Sequence, residues 1–129
     1  LIVSYLPDPE SHPLWNEIME LLRPAAEYGG IGVRDDDELV WIAFDGSTIF
    51  AAATACPAGD EAQIRLAGGA RHREWIEDFD GQVSAWARRN GAARLTMRGR
   101  KGWARYARAF GWGLCGTDED GLTIYEKAL

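Results

Sequence analysis

Cysteine and histidine are scarce in this 129-residue sequence, with two of each. His12 and His72 stand apart from other ligand types at metal-binding spacing, and neither Cys56 nor Cys115 belongs to a Cys-x-x-Cys pair. A metal centre is therefore disfavoured. The two cysteines read as small core residues of a reducing compartment rather than as a disulfide. No apolar run approaches the roughly 20 residues of a bilayer span, and no charged-then-apolar leader opens the chain, so membrane and secreted classes give way to a soluble, cytoplasmic one. No low-complexity linker or internal repeat interrupts the sequence, and its length suits a single domain over residues 1–129.

Basic residues are also in deficit, 14 against 20 acidic ones, a net charge of -6 that opposes polyanions at long range. The deficit is uneven along the chain. Residues 1–62 carry 12 acids and 2 bases, residues 63–110 carry 4 acids and 11 bases, and residues 111–129 carry 4 acids and 1 base. A strongly basic stretch is thus set inside an acidic protein. Part of it, from Arg88 to Arg108, is interleaved with Trp103 and Tyr106, a composition able to contact phosphates and stack on bases. Alternation, however, sends Arg94 and Thr96 opposite Leu95 and Met97, so several of these charges read as solvated faces and nucleic acid is disfavoured. The acidic run Asp35, Asp36, Asp37, Glu38 reads as a solvated loop.

The apolar periodicity gives the elements. Residues 2–6 suit a short edge strand. Leu14, Ile18, Leu21, Leu22 and Ala25 recur at helical spacing, and Pro24 is expected to end that helix near Arg23, with a further turn to Tyr28. Residues 39–44 and 48–55 flank Asp45-Gly46, a hairpin signal, and residues 62–67 add a third strand after the Pro57 to Asp60 turn. The period then changes, because Trp75, Ile76, Phe79, Val83, Trp86 and Ala87 trace one face of a helix over residues 73–90 that stops at Gly91. A buried strand over 93–97, a short helix over 103–110 and a closing hairpin of 112–117 with 122–127 complete one α+β domain.

The segment from Arg65 to Arg73 lies where a strand passes through Gly68 and Gly69 into a helix. Glycines there let backbone N–H groups approach a ligand, and helix N-termini attract anions. Arg71 and Arg73 flank the positive end of the helix dipole, an arrangement that asks for compensation by an anion or an acidic neighbour. A bound phosphate is one answer, and pairing with an acidic residue is the other.

The element order, the stretch Ala85-Trp-Ala-Arg-Arg-Asn-Gly91, then Gly99-Arg-Lys-Gly-Trp103, Phe110-Gly-Trp112 and Tyr125-Glu-Lys127, resembles the GNAT N-acetyltransferase family over roughly residues 13–129. The similarity is to the compact, divergent GNAT-like proteins of bacteriophages and prophages. It implies an acetyl-CoA-dependent N-acetyltransferase acting on an amine, with Leu66, Ala67, Gly68, Gly69, Ala70, Arg71 and Arg73 holding the cofactor. The family's loop pattern is met by Arg65, Gly68 and Ala70, or alternatively Gly68 to Arg73 forms a shortened loop. Ala107 stands four residues before Gly111, where the family often has its general-acid Tyr, and Tyr106 is one residue out of that register. Tyr106 is the proton-transfer candidate, with Glu61 and Glu38 as the carboxylate candidates. A GNAT-like chain kept for binding or structure, with a second copy or another phage-type protein as partner, is the alternative.

Overall fold

The chain begins with strand β1 (Ile2–Leu6) and helix α1 (Trp15–Gly29), then forms β2 (Leu39–Asp45) and β3 (Thr48–Ala58) around the expected Asp45-Gly46 turn. Strand β4 (Glu61–Gly69), helix α2 (His72–Arg89), β5 (Arg94–Gly99), helix α3 (Ala104–Ala109), β6 (Gly113–Thr117) and β7 (Thr123–Ala128) follow. This computed structural model describes residues 1–32 and 38–129, and Asp35, Asp36 and Asp37 of the acidic run lie outside the described residues. The strands form one sheet in the order β1-β2-β3-β4-β5-β7-β6. Among the described residues only β4 and β5 pair in parallel, and the crossover that such a pair needs is the connection through α2. The expected α+β class holds.

Helix α1 covers one face of the sheet and α2 with α3 the other. Ile18, Leu22 and Ala26 of α1 pack on Val40, Ile42, Ala52 and Leu66, while Trp75, Phe79, Val83 and Ala87 of α2 pack on Trp41, Ala53, Ile64 and Leu95. The large side chains come chiefly from outside β3, which presents Ala51, Ala52, Ala53 and Ala55 to the two layers. Small residues there bring the helices close to the sheet.

Three expectations are corrected. Helix α1 runs unbroken through Pro24 to Gly29. Pro24 is exposed, so the carbonyl that loses its donor faces water rather than the core, which lowers the cost of a proline inside a helix. Glu38 is buried rather than solvated, at 2 % exposure, because it has a hydroxyl and a guanidinium to pair with. Cys115 is exposed on the edge strand β6, so only Cys56, which is half-buried, fits the reading of a core thiol. Among the described residues no helix is long and apolar enough to cross a membrane, and no cluster of ligand side chains could hold a metal.

Candidate functional site: a cavity where two strands part

The parallel pairing of β4 with β5 covers only Glu61 to Ile64 against Arg94 to Met97. Beyond Ile64 the strands separate. The register of β4 on β3 shifts at the same place, since Ile64 opposes Ala55 and Leu66 opposes Thr54, leaving Arg65 as the extra residue of a β-bulge. A cavity of about 810 Å³ occupies the opening. Its walls come from Leu21, Pro24 and Tyr28 of α1, Arg65 to Gly69 of β4, His72 and Trp75 of α2, Met97 to Gly99 of β5, Trp103 and Tyr106 around α3, and Asp118 and Asp120 of the β6–β7 turn. Because α1 and α2 lie on opposite faces, the cavity has walls on both sides of the sheet.

Antiparallel alternation shows which backbone groups face this space. The Ala70 N–H donates to the Phe50 carbonyl at 2.9 Å, so at every second residue Gly68 and Leu66 also face β3. The N–H groups of Ala67 and Gly69 then point away from β3, toward the side that β5 has left. The glycines have steric duties besides. A Cβ on Gly68 would lie 2.1 Å from the Leu21 carbonyl oxygen, and one on Gly69, whose φ is +118°, 2.2 Å from that of Phe50. Gly68 lets α1 approach β4 backbone to backbone, and Gly69 lets the chain leave the sheet.

The turn into α2 is very short, because β4 extends to Gly69 and the helix starts at His72. Only Ala70 and Arg71 lie between the two elements, fewer residues than in either loop alignment open from the sequence. Arg65 lies within β4 and pairs with the buried Glu38. Arg71 occupies the N-cap position in the left-handed region, φ 60°, and no side chain caps the helix. Its guanidinium stacks 4.2 Å above the Phe50 ring and is held by Glu74, which keeps its own pKa below the ordinary carboxylate value through that hydrogen bond. The compensation for positive charge at this helix end is thus supplied from within the first turn. Arg73 is exposed. Its guanidinium, with help from Arg105, whose Nη2 donates to the phenol oxygen at 3.4 Å, pulls the Tyr106 phenol below its usual pKa.

Tyr106 lines the cavity despite standing one residue away from the family spacing, while Ala107 beside it is buried. Glu61 lies elsewhere. It pairs with Arg94 at 2.9 Å at the opposite end of β4, roughly 16 Å of strand from Leu66, and does not line the cavity. Of the carboxylates on the wall, Glu20 pairs with Arg23, Asp118 with Arg98, and Asp80 with Lys127 while accepting from the Trp112 indole. Asp120 has no basic partner among the described residues. Its position follows from Asp118, whose Oδ1 accepts from the N–H groups of both Asp120 and Leu122 at 2.9 Å.

Sequence reading missed Asp120, which looked like any turn carboxylate, and His72, which it weighed only as a metal ligand. The His72 ring lies 5.0 Å from that of Trp103 and 5.4 Å from that of Trp75, and burial among them holds its pKa below the ordinary value. Only the approach of α3 to α2 reveals that cluster.

Solved structures share this fold over the whole chain. The PaiA N-acetyltransferase from Thermoplasma acidophilum, in complex with coenzyme A, superposes with a TM-score of 0.73 at 15% identity, covering 100% of both chains. A GNAT family acetyltransferase from Elizabethkingia anophelis with acetyl-CoA bound gives 0.71 at 12% identity, covering 99% of this chain and 97% of that one. The chain has the GNAT fold. An aminoglycoside 6'-N-acetyltransferase complexed with coenzyme A gives 0.75 at 11% identity, with 99% and 97% covered. No protein-family model matches the chain, and no curated protein matches it in sequence. In this GNAT fold the parting of β4 from β5, the bulge at Arg65 and the helix following β4 are the features that shape the cavity.

Proposed function

We propose that the protein is an acyl-CoA-dependent N-acyltransferase, with acetyl as the acyl group and an amine as acceptor. The observation that carries this reading is the opening of the sheet beyond Ile64, which turns the N–H groups of Ala67 and Gly69 toward a cavity walled from both faces. The residues present fit a coenzyme A thioester. Ala67 and Gly69 offer N–H groups to its amide and carbonyl oxygens, and the uncapped start of α2, with Arg73 and Arg105 nearby, suits its phosphates. The thioester, when bound, supplies an activated acyl group. Donors fixed in a strand cost no reorganisation as negative charge builds on the carbonyl oxygen, which is where such groups have most effect. Tyr106, its pKa lowered by Arg73, is placed to give a proton to a departing thiolate from the α3 side. Asp120, on the β6–β7 turn beside Arg98 and Asp118, receives the ammonium and takes its proton. Neither role needs Glu61.

Similarity to bacteriophage GNAT-like proteins, on the stretches Gly99 to Trp103 and Phe110 to Trp112, and a cytoplasmic setting belong to the same reading.

Thermal unfolding with coenzyme A tests the proposal. Ligand at about 100 times its dissociation constant adds roughly 2.7 kcal/mol of stability if it binds only the folded state. We expect a rise of several degrees with millimolar coenzyme A, and thiol release from acetyl-CoA with a panel of amines that Asp120→Asn reduces while leaving the thermal shift in place. No shift with either coenzyme A or acetyl-CoA rejects the reading. A shift without turnover on any amine leaves the binding-only alternative in its place.

A further inference from the structure

We infer that the buried pair of Glu38 and Arg65, with Thr54, is a positioning device that selects the bulged register of β4 and so keeps the sheet open. It rests on the acyl-CoA reading only for what the opening is used for. Arg65 is the extra residue, and it stands one position past Ile64, where the pairing of β4 with β5 ends. The bulge changes which face each side chain meets. Ile64 packs on the α2 side and Leu66 on the α1 side, although regular alternation would put both on the same face. Arg65 therefore lies at the handover, its side chain 10% exposed and that of Glu38 0%. Thr54, opposite Leu66 in the register, donates its hydroxyl to the other Glu38 oxygen. The network thus links the start of β2 with β3 and β4 at the point of opening, and Arg65 also reaches the Gly32 carbonyl at 3.4 Å.

Energetics argue that stability is not its main purpose. Two buried charges cost desolvation, and apolar replacements of similar volume are often neutral or stabilising. A one-residue slip that removes the bulge would turn Leu66 and Gly68 away from α1, and would separate Arg65 from its counter-charge. The pair makes that alternative expensive, because a guanidinium cannot be buried alone.

The test is the double variant Glu38→Met/Arg65→Met, with Thr54→Val as a milder companion. We expect the double variant to unfold at or above the wild-type temperature, to lose the shift produced by coenzyme A, and to show amide exchange at Ala67 and Gly69 slowed about tenfold as β4 closes on β5. Thr54→Val should slow the same two amides less. A double variant with wild-type exchange at these amides overturns the inference. If the double variant does not fold, Thr54→Val decides, and unchanged exchange there overturns it. Because amide exchange needs no ligand, a wild type that ignores coenzyme A refutes the acyl-CoA reading and leaves this inference to be judged by its own measurement.

Discussion

Arg71 and Glu74 form a two-point ion pair across the first turn of α2, with Nε to Oε2 at 2.5 Å and Nη2 to Oε1 at 2.6 Å. The carboxylate lies at the positive pole of the helix, where a phosphate group of a cofactor would also find its best field. Glu74 and such a phosphate therefore compete for the same cation and the same dipole. Glu74→Gln should free Arg71 and tighten coenzyme A binding about two- to fivefold, a gain that shrinks as salt is added. Calorimetric titration at low and high ionic strength measures it. Weaker binding by the variant would show that Glu74 instead orients Arg71 for the ligand.

Gly68 makes a steric prediction independent of any ligand. With a Cβ placed 2.1 Å from the Leu21 carbonyl oxygen, Gly68→Ala must push α1 off β4, and the obstacle is backbone that no rotamer change can clear. Overpacking of this kind costs about 1–3 kcal/mol. Urea unfolding should give a lower midpoint with an unchanged slope, whereas Gly81→Ala in α2, where nothing lies within 4 Å, should gain stability through helix propensity.

Much of this architecture was legible from local pattern. The Asp-Gly turn fixed the β2–β3 hairpin, the stripe from Trp75 to Ala87 fixed the buried face of α2, and the charge division located the basic region. What escaped was set by contacts distant in sequence. Nothing near Glu38 announces that Arg65, 27 residues on, will bury it as a partner. Gly68 and Gly69 looked like a ligand cradle, yet their closest demands come from Leu21 and Phe50. Tyr106 seemed misplaced by its spacing to Gly111, but the 3-10 turn at Lys101–Trp103 and the short α3 carry it to the cavity wall all the same. Glu61 was attractive for standing just before β4, and the register gave it to Arg94.

Tyr106 tests the proposed chemistry. A phenol whose pKa is drawn down by Arg73 sits closer to that of a thiol, which suits proton transfer to a leaving sulfur. Tyr106→Phe should leave coenzyme A affinity nearly intact and lower kcat by about 10²–10⁴, the usual range for loss of a positioned acid. Arg73→Ala should raise the phenol pKa, seen as a later rise of phenolate absorbance in a pH titration. Equal losses of affinity and turnover in Tyr106→Phe would assign the ring to binding alone.

His72 makes stability depend on pH with a definite sign. Burial against Trp75 and Trp103 disfavours the imidazolium, and the positive end of α2 acts the same way, so the folded pKa lies below the ordinary 6.5. The unfolded chain then binds the proton more readily. Above about pH 6.5 both states are neutral and the contribution of His72 is fully present; as pH falls through the folded pKa it is lost. His72→Gln cannot titrate, so the stability difference between wild type and variant should shrink, or turn in favour of the variant, as pH is lowered from neutral into the acid range. Urea unfolding of both proteins across that range measures the difference directly. A difference that stays constant with pH would mean that the ring has the same proton affinity folded and unfolded, and that the aromatic cluster leaves it open to water.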